Sequence, residues 1–359
     1  MRQVIKIAIA AATAATLTLA GCAGTPAASP EPTDTSAAPT TTAPEPAEKV
    51  KVGMAFDVGG RGDQSFNDSA AAGLDQAAAE FGVEAKDVAA TAGESESVRE
   101  ERLQQLIDAG FDNIVAVGFA YAASVGKVAA ANPDVKFAIV DDASEASTAP
   151  NVMNITFAEH EGSFLVGAAA ALKSESGHIG YVGGVQTPLI EKFQAGYEAG
   201  AKAVNPDIKI DVNYLTQPPD FSGFGDPAKG ETAAKAMFDN GADIVYHAAG
   251  GSGGGVFNAA KAAGKWAIGV DSDQALTAAP EVQDVILTSM IKRVDVGVYT
   301  FIKSVHDGNF AAGETVFDLK ADGVGYSTTG GHIDDIATKI DEFKAQIIAG
   351  SITVPATVS

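Results

Sequence analysis

Two successive runs of short β-rich segments, each alternating with amphipathic helices, restrict this chain more than any other feature. The first run carries strands expected at 51–56, 83–88, 113–117, 137–140 and 152–157. A helix expected over 159–173 separates it from a second run, with strands at 179–182, 208–214, 243–246, 266–270 and 285–290. Strands separated by helices are joined by crossovers, which makes neighbouring strands parallel and covers both sheet faces with helices. The expectation is an α/β protein of two similar lobes, each a doubly wound parallel sheet. No close internal sequence repeat accompanies the architectural one.

Helix ends are marked along the way. Ser65 with Asp68, and Ser97 with Glu100, have capping-box spacing, and Gly82 and Gly110 close the helices that follow. Thr187-Pro188 and Asp226-Pro227 place a cap and a first-turn proline together, while Asn132-Pro133, Asn205-Pro206 and Asn240-Gly241 are stops. Further helices are expected over 294–305 and 334–348. The lobes are then expected to be built from 49–157 with 291–312, and from 158–290 with 313–359.

The front of the chain is of another kind. Arg2 and Lys6 precede an apolar run over 7–20, followed by Leu19-Ala20-Gly21-Cys22. Those fourteen residues fall short of the ~20 needed to span a bilayer. Residues 1–21 therefore read as an export signal ending in a lipobox, with Cys22 as the lipidated residue. Residues 22–48 are rich in Pro, Thr, Ala and Ser, and six of the fifteen prolines lie here. Such a composition cannot bury enough apolar surface to fold, so a tether is expected, reaching at most ~75 Å if extended. The expected location is the extracytoplasmic face of the cell membrane, held by the lipid.

Cys22 is the only cysteine. The remainder can hold no disulfide, thiolate metal site or cysteine nucleophile. The formal net charge is −22, and loss of Arg2 and Lys6 makes it −24. An acidic surface of that size argues against nucleic acid as a partner, because phosphate contacts need clustered Lys and Arg. A monomer is expected.

Ligands of open parallel sheets bind beyond the carboxyl ends of the strands. Asp57, Asp141 with Asp142, Gly250 with Gly251, Asp271 and Lys292 all stand at such ends, drawn from both halves. Phe66 opens a helix after the loop Gly59-Gly60-Arg61-Gly62-Asp63, and Phe221 and Phe224 lie in a loop of the other half. Aromatic rings on opposite lobes could clamp a flat ring or could be core. Other motifs fail. The glycine run 250–255 has Val256 where a dinucleotide fingerprint needs a small residue, and no Gly-Lys-Ser/Thr occurs. The five histidines have no metal-ligand spacing. Asp141-Asp142 and Asp271-Ser272-Asp273 leave open a hard cation, as in a nucleoside hydrolase, but a binding protein without metal, cofactor or catalysis is the first expectation.

Several segments carry a resemblance. Asp57-Val58-Gly59-Gly60-Arg61-Gly62-Asp63-Gln64-Ser65-Phe66-Asn67, the stretch from Phe157 to Gly167, Gly180-Tyr181-Val182-Gly183-Gly184, Gly269 to Gln274 and Leu287 to Lys292 resemble the basic membrane protein family, which includes purine nucleoside receptor lipoproteins. The likeness runs from about Val50 to about Gly325. It implies a type I periplasmic-binding fold with two lobes joined by a hinge, delivering a nucleoside to an ABC importer permease. By position, Phe66 and Phe224 would stack on a purine, and Asp57, Asn67 and Asp141 or Asp142 would line the base. Asp271 and Lys292 would hold ribose hydroxyls, with Gly250 and Gly251 admitting close backbone approach. Lys292 and Arg61 are the cations expected near at least three acids. Nucleosides are therefore expected over nucleotides.

Overall fold

A computed structural model describes residues 49–358, so the expected signal, Cys22 and the tether lie outside the described residues. The described residues form one compact unit. Its strands are β1 (Lys51–Val58), β2 (Glu84–Ala90), β3 (Asn113–Val117), β4 (Lys136–Val140), β5 (Val152–Phe157), β6 (His178–Val185), β7 (Lys209–Thr216), β8 (Ile244–Ala248), β9 (Trp266–Asp271), β10 (Ile286–Lys292), β11 (Gly313–Phe317) and β12 (Val324–Tyr326). Its helices are α1 (Phe66–Phe81), α2 (Glu96–Asp108), α3 (Ala122–Ala131), α4 (Glu159–Lys173), α5 (Pro188–Val204), α6 (Pro227–Asp239), α7 (Gly253–Ala263), α8 (Gln274–Thr277), α9 (Val294–His306) and α10 (Ala337–Ile348).

The strands form two six-stranded sheets, ordered β11-β5-β4-β3-β1-β2 and β12-β10-β9-β8-β6-β7. Every pairing is parallel except β12 against β10. In both lobes the second strand lies outside the first and the third lies on the first strand's other side. The order thus reverses between β1 and β3, and again between β6 and β8. Neither reversal is encoded in the periodicity of a single strand.

Strand residues alternate between two cores. In the first lobe, Val52, Met54, Phe56, Val115 and Val117 face the side covered by α1 and α9. Ala55, Ile114, Ala116, Phe137 and Ile139 face α2 and α3. In the second lobe, Tyr181, Tyr246, Ile268 and Leu287 face α4 and α5. Val182, Val245, Ala267 and Ile286 face α6 and α7. Burial on both faces explains why these strands read as continuous apolar runs.

The lobe boundaries need one correction. The segment from 313 was expected wholly in the second lobe, but β11 pairs with β5 in the first sheet. Its alternating exposure and lone buried Phe317 gave no strand-like apolar run. The chain therefore crosses between lobes after β5, after β10 and after β11.

Two expected capping boxes are also replaced. Ser65 makes no side-chain cap to α1. Asp63 does so instead, accepting from the N–H groups of Ser65 (3.0 Å), Asn67 (2.8 Å) and Asp68 (3.0 Å). Helix α2 starts at Glu96, so Ser97 is already helical and caps nothing. Thr187 and Asp226 do cap, accepting from Ile190 N–H and Lys229 N–H.

Helices α4 and α5 pack backbone to backbone through glycines. A Cβ on Gly200 would lie 1.9 Å from the Phe164 carbonyl oxygen, and one on Gly196 would lie 2.1 Å from that of His160. The pair positions the first turn of α5, which walls the cavity described below. Gly200→Ala should destabilise the fold by ~1–3 kcal/mol through overpacking. Gly254→Ala in α7, where a Cβ meets nothing within 4 Å, should instead be neutral or gain up to ~1 kcal/mol. Urea unfolding of the two variants tests the contrast.

Candidate functional site

The carboxyl ends of both sheets face a single cavity between the lobes. It is lined by Asp57 and Val58 from the end of β1, Asp63, Phe66 and Asn67 from the loop into α1, Phe119 after β3 and Asp141 after β4. The second lobe contributes Leu189, Ile190 and Phe193 from α5, Phe224, Ala248, Gly250, Val270, Asp271 and Lys292. Its empty space, counted out to the mouth and including open solvent, is about 540 Å³. The lining takes residues from both strand-order reversals, where a doubly wound sheet opens a crevice.

Lys292 is the centre of the site's electrostatics. It is 1% exposed, and its ammonium lies 2.6 Å from Asp141 Oδ2 and 3.4 Å from Glu159 Oε1. The rings of Phe157, Phe66 and Phe193 surround it, with centroids at 5.0, 5.1 and 5.5 Å. Burial opposes its charge, but Asp141, Glu159 and Asp271 outweigh burial and hold it above the usual lysine range. Burial in turn pushes Asp57 and Asp271 up to about 6 from the ordinary 3.8. It raises Asp141 too, against the pull of Lys292.

Asp141 and Asp271 occupy equivalent places, the ends of the fourth strand of each lobe's common order. Both adopt left-handed backbone, with φ of 70° and 64°. A non-glycine residue in that region is uncommon, and short polar side chains tolerate it best. The turn aims both carboxylates toward Lys292.

Other expected residues fare differently. Asn67 lines the cavity, yet its polar atoms are already engaged. Its Oδ1 accepts from Asp57 N–H at 3.1 Å, while Nδ2 donates to Val58 O at 3.3 Å and Asp63 Oδ2 at 3.0 Å. Asn67 therefore fixes Asp57 and Asp63 rather than offering a free donor. Asp142 is turned away from the cavity, where its carboxylate accepts from Ser144 N–H at 3.1 Å and Ser144 Oγ at 2.7 Å. Adjacent residues in such a turn point apart, so only Asp141 reaches the cavity. Gly251 is not in the lining, and a Cβ there would face the Phe224 carbonyl and Asp63. Arg61 is held on the surface by Asp75 and Asp87, leaving Lys292 as the cation of the lining. Phe221 packs edge-on against Phe119 at 5.8 Å, outside the lining.

Sequence reasoning missed Asp63, Phe119, Leu189, Ile190 and Phe193. Asp63 and Phe119 follow β1 and β3, so the strand-end rule could have found them. Nothing in the helical pattern of α5 separates a residue facing the cavity from one facing the core.

A family model described as ABC transporter substrate-binding protein PnrA-like, abbreviated Bmp, matches residues 49–358. The chain belongs to that family. Its members bind substrates for transport and are not enzymes. The ABC transporter nucleoside-binding protein BmpA of Lactococcus lactis is 36% identical over 324 residues, covering 85% of this chain and 89% of that one. A solute-binding protein of an ABC transporter system from Aeropyrum pernix superposes with a TM-score of 0.75 at 31% identity, covering 86% and 94%. A LacI transcriptional regulator from a Rhodococcus species superposes at 0.57 with 16% identity, covering 75% and 94%, and shares the fold alone. The architecture is thus the type I periplasmic-binding fold, and the protein is a solute-binding component of an ABC transporter.

The raised carboxyls have a consequence for stability. Between pH ~4 and ~6 the folded protein keeps a proton on Asp57 that the unfolded chain has released, so stability falls as pH rises through that window. About two units correspond to at most ~3 kcal/mol. Asp57→Asn should therefore stabilise the protein by ~1–3 kcal/mol at pH 7, the gain vanishing by pH ~4. Urea titrations at both pH values check this.

Proposed function

We propose that this protein captures a nucleoside, purines in preference, and hands it to a membrane permease from a lipid anchor at Cys22 on the cell surface. The supporting observation is that Phe66 of the first lobe and Phe224 of the second line one cavity together with four aspartates and one lysine. Stacking on aromatic rings contributes ~1–3 kcal/mol per base. Carboxylates accept hydrogen bonds from hydroxyls strongly, which suits Asp271 to a ribose, with Lys292 beside it as donor. Asp57 and Asp141 would then address the base, and Gly250 would let the ligand approach backbone. The L. lactis relative is named as nucleoside-binding, which agrees with this reading.

The charge balance selects against phosphate. Asp57, Asp63, Asp141 and Asp271 line the cavity and Lys292 is already paired with Asp141. A phosphate would meet an excess of negative charge in a poorly solvated space. Calorimetric titration should show a nucleoside monophosphate binding at least ~10-fold more weakly than its nucleoside, about 1.4 kcal/mol. Equal affinity would contradict the assignment of the aspartates.

Truncating either ring gives an independent check. Phe66→Ala and Phe224→Ala should each weaken guanosine or inosine binding ~10- to 100-fold while leaving folding intact. A thermal-shift screen over nucleosides, free bases and sugars would expose a different cargo, since only nucleosides should stabilise strongly. Incubation with nucleoside and calcium should release no free base.

A further inference from the structure

Beside the cavity, the two lobes touch through a compact set of hydrogen bonds. The Gln64 carbonyl of the first lobe accepts from Gln274 Nε2 at 3.1 Å and from Thr277 Oγ1 at 3.2 Å, both on α8 of the second. Next to it, Ser65 Oγ lies 2.6 Å from Asp271 Oδ2 and 3.3 Å from Val270 O, and Ser272 Oγ donates to Ser65 O at 3.1 Å. Gln64 itself is held at φ 57°, the left-handed region, which turns its carbonyl toward α8.

Gln274 joins this seam to the site. Its side chain is 1% exposed, and Oε1 accepts from Val270 N–H at 2.8 Å, immediately before Asp271. One buried amide therefore fixes the backbone that presents Asp271 and grips the opposite lobe with its other end. The orientation of the amide follows from its neighbours, because Val270 N–H requires an acceptor and the Gln64 carbonyl requires a donor.

We infer that Gln274 is a positioning residue and, with Thr277, forms a ligand-independent latch on the Gln64 carbonyl that populates the closed state before cargo arrives and slows its escape. Neither Gln64, Gln274 nor Thr277 lines the cavity. Their bonds run between protein atoms alone, at positions outside the lining. A latch of this kind shifts the open–closed equilibrium by its own differential bonding, so it acts on the dissociation rate more than on encounter.

Two variants separate the two ends of the latch. Thr277→Val removes one donor at an exposed position with little change in shape. Gln274→Glu keeps the acceptor for Val270 N–H but sets a carboxylate oxygen against the Gln64 carbonyl. Residues 49–358 contain no cysteine, so spin labels at the exposed positions Glu84→Cys and Lys209→Cys report the separation of the edge strands β2 and β7 by pulsed electron resonance. Without ligand, wild type should show a short-distance population that shrinks in Thr277→Val and shrinks further in Gln274→Glu. The inosine dissociation rate should rise about 3- to 10-fold for Thr277→Val, the worth of one neutral hydrogen bond, with the association rate unchanged. A single long distance in ligand-free wild type, or identical distance distributions in wild type and both variants, would overturn the latch. Because these distances are read without ligand, they judge the latch separately from the nucleoside reading.

Discussion

A single buried ammonium governs how the two halves of this protein meet. Lys292 is the last residue of β10, immediately before the chain crosses to the first lobe. Removing a charge from water costs several kcal/mol unless partners compensate it. Those partners come from different places: Asp141 from the first lobe, Glu159 from the start of the helix that leaves β5, and Asp271 from the neighbouring strand. The cation is satisfied only where the crossing segments and both sheet ends converge. That point is also the inner end of the cavity. Phe66, Phe157 and Phe193 close around the charge and exclude water from it.

The same convergence reflects a repeated backbone rather than a repeated sequence. Both sheets reverse their strand order beside their first strand, and both end their fourth strand on a left-handed aspartate. Strained backbone of this kind persists where the surroundings over-determine it, and it collects at functional sites. Here the surroundings are Lys292 and, for Asp271, the Gln274 amide and the Ser65 hydroxyl. The strain aims two carboxylates at one cation and leaves their remaining capacity toward the cavity. Asp57, lifted to about 6 by burial, adds a third group whose folded environment opposes its charge. The site is thus held against its own preference for solvent by the lobes that enclose it.

Closure divides among contacts of different kinds. Aromatic rings from both lobes provide area without directional demand, as in the edge-on meeting of Phe119 with Phe221 and Phe224. The hydrogen bonds of Gln64 and Ser65 to α8 and the end of β9 provide register. A solute-binding protein needs both, because its lobes must part for cargo and return to one arrangement.

The sequence alone determined the layers. Strands buried on both faces need apolar residues at consecutive positions, and the breaks between them need glycine, proline and caps, so ten strands and most helices were legible close to their ends. It also determined that Asp57, Asp141, Asp271 and Lys292 stand at strand ends, since that is a property of position along the chain. Tertiary structure decided which of these side chains meet. Asp142 turned outward, Arg61 went to surface aspartates, Asn67 was consumed by the loop, and β11, with one buried residue to announce it, joined the first sheet. Local periodicity fixes which face of an element is buried. Strand order, the left-handed turns and the pairing of Lys292 come from energies shared between residues distant in sequence, which no local pattern carries.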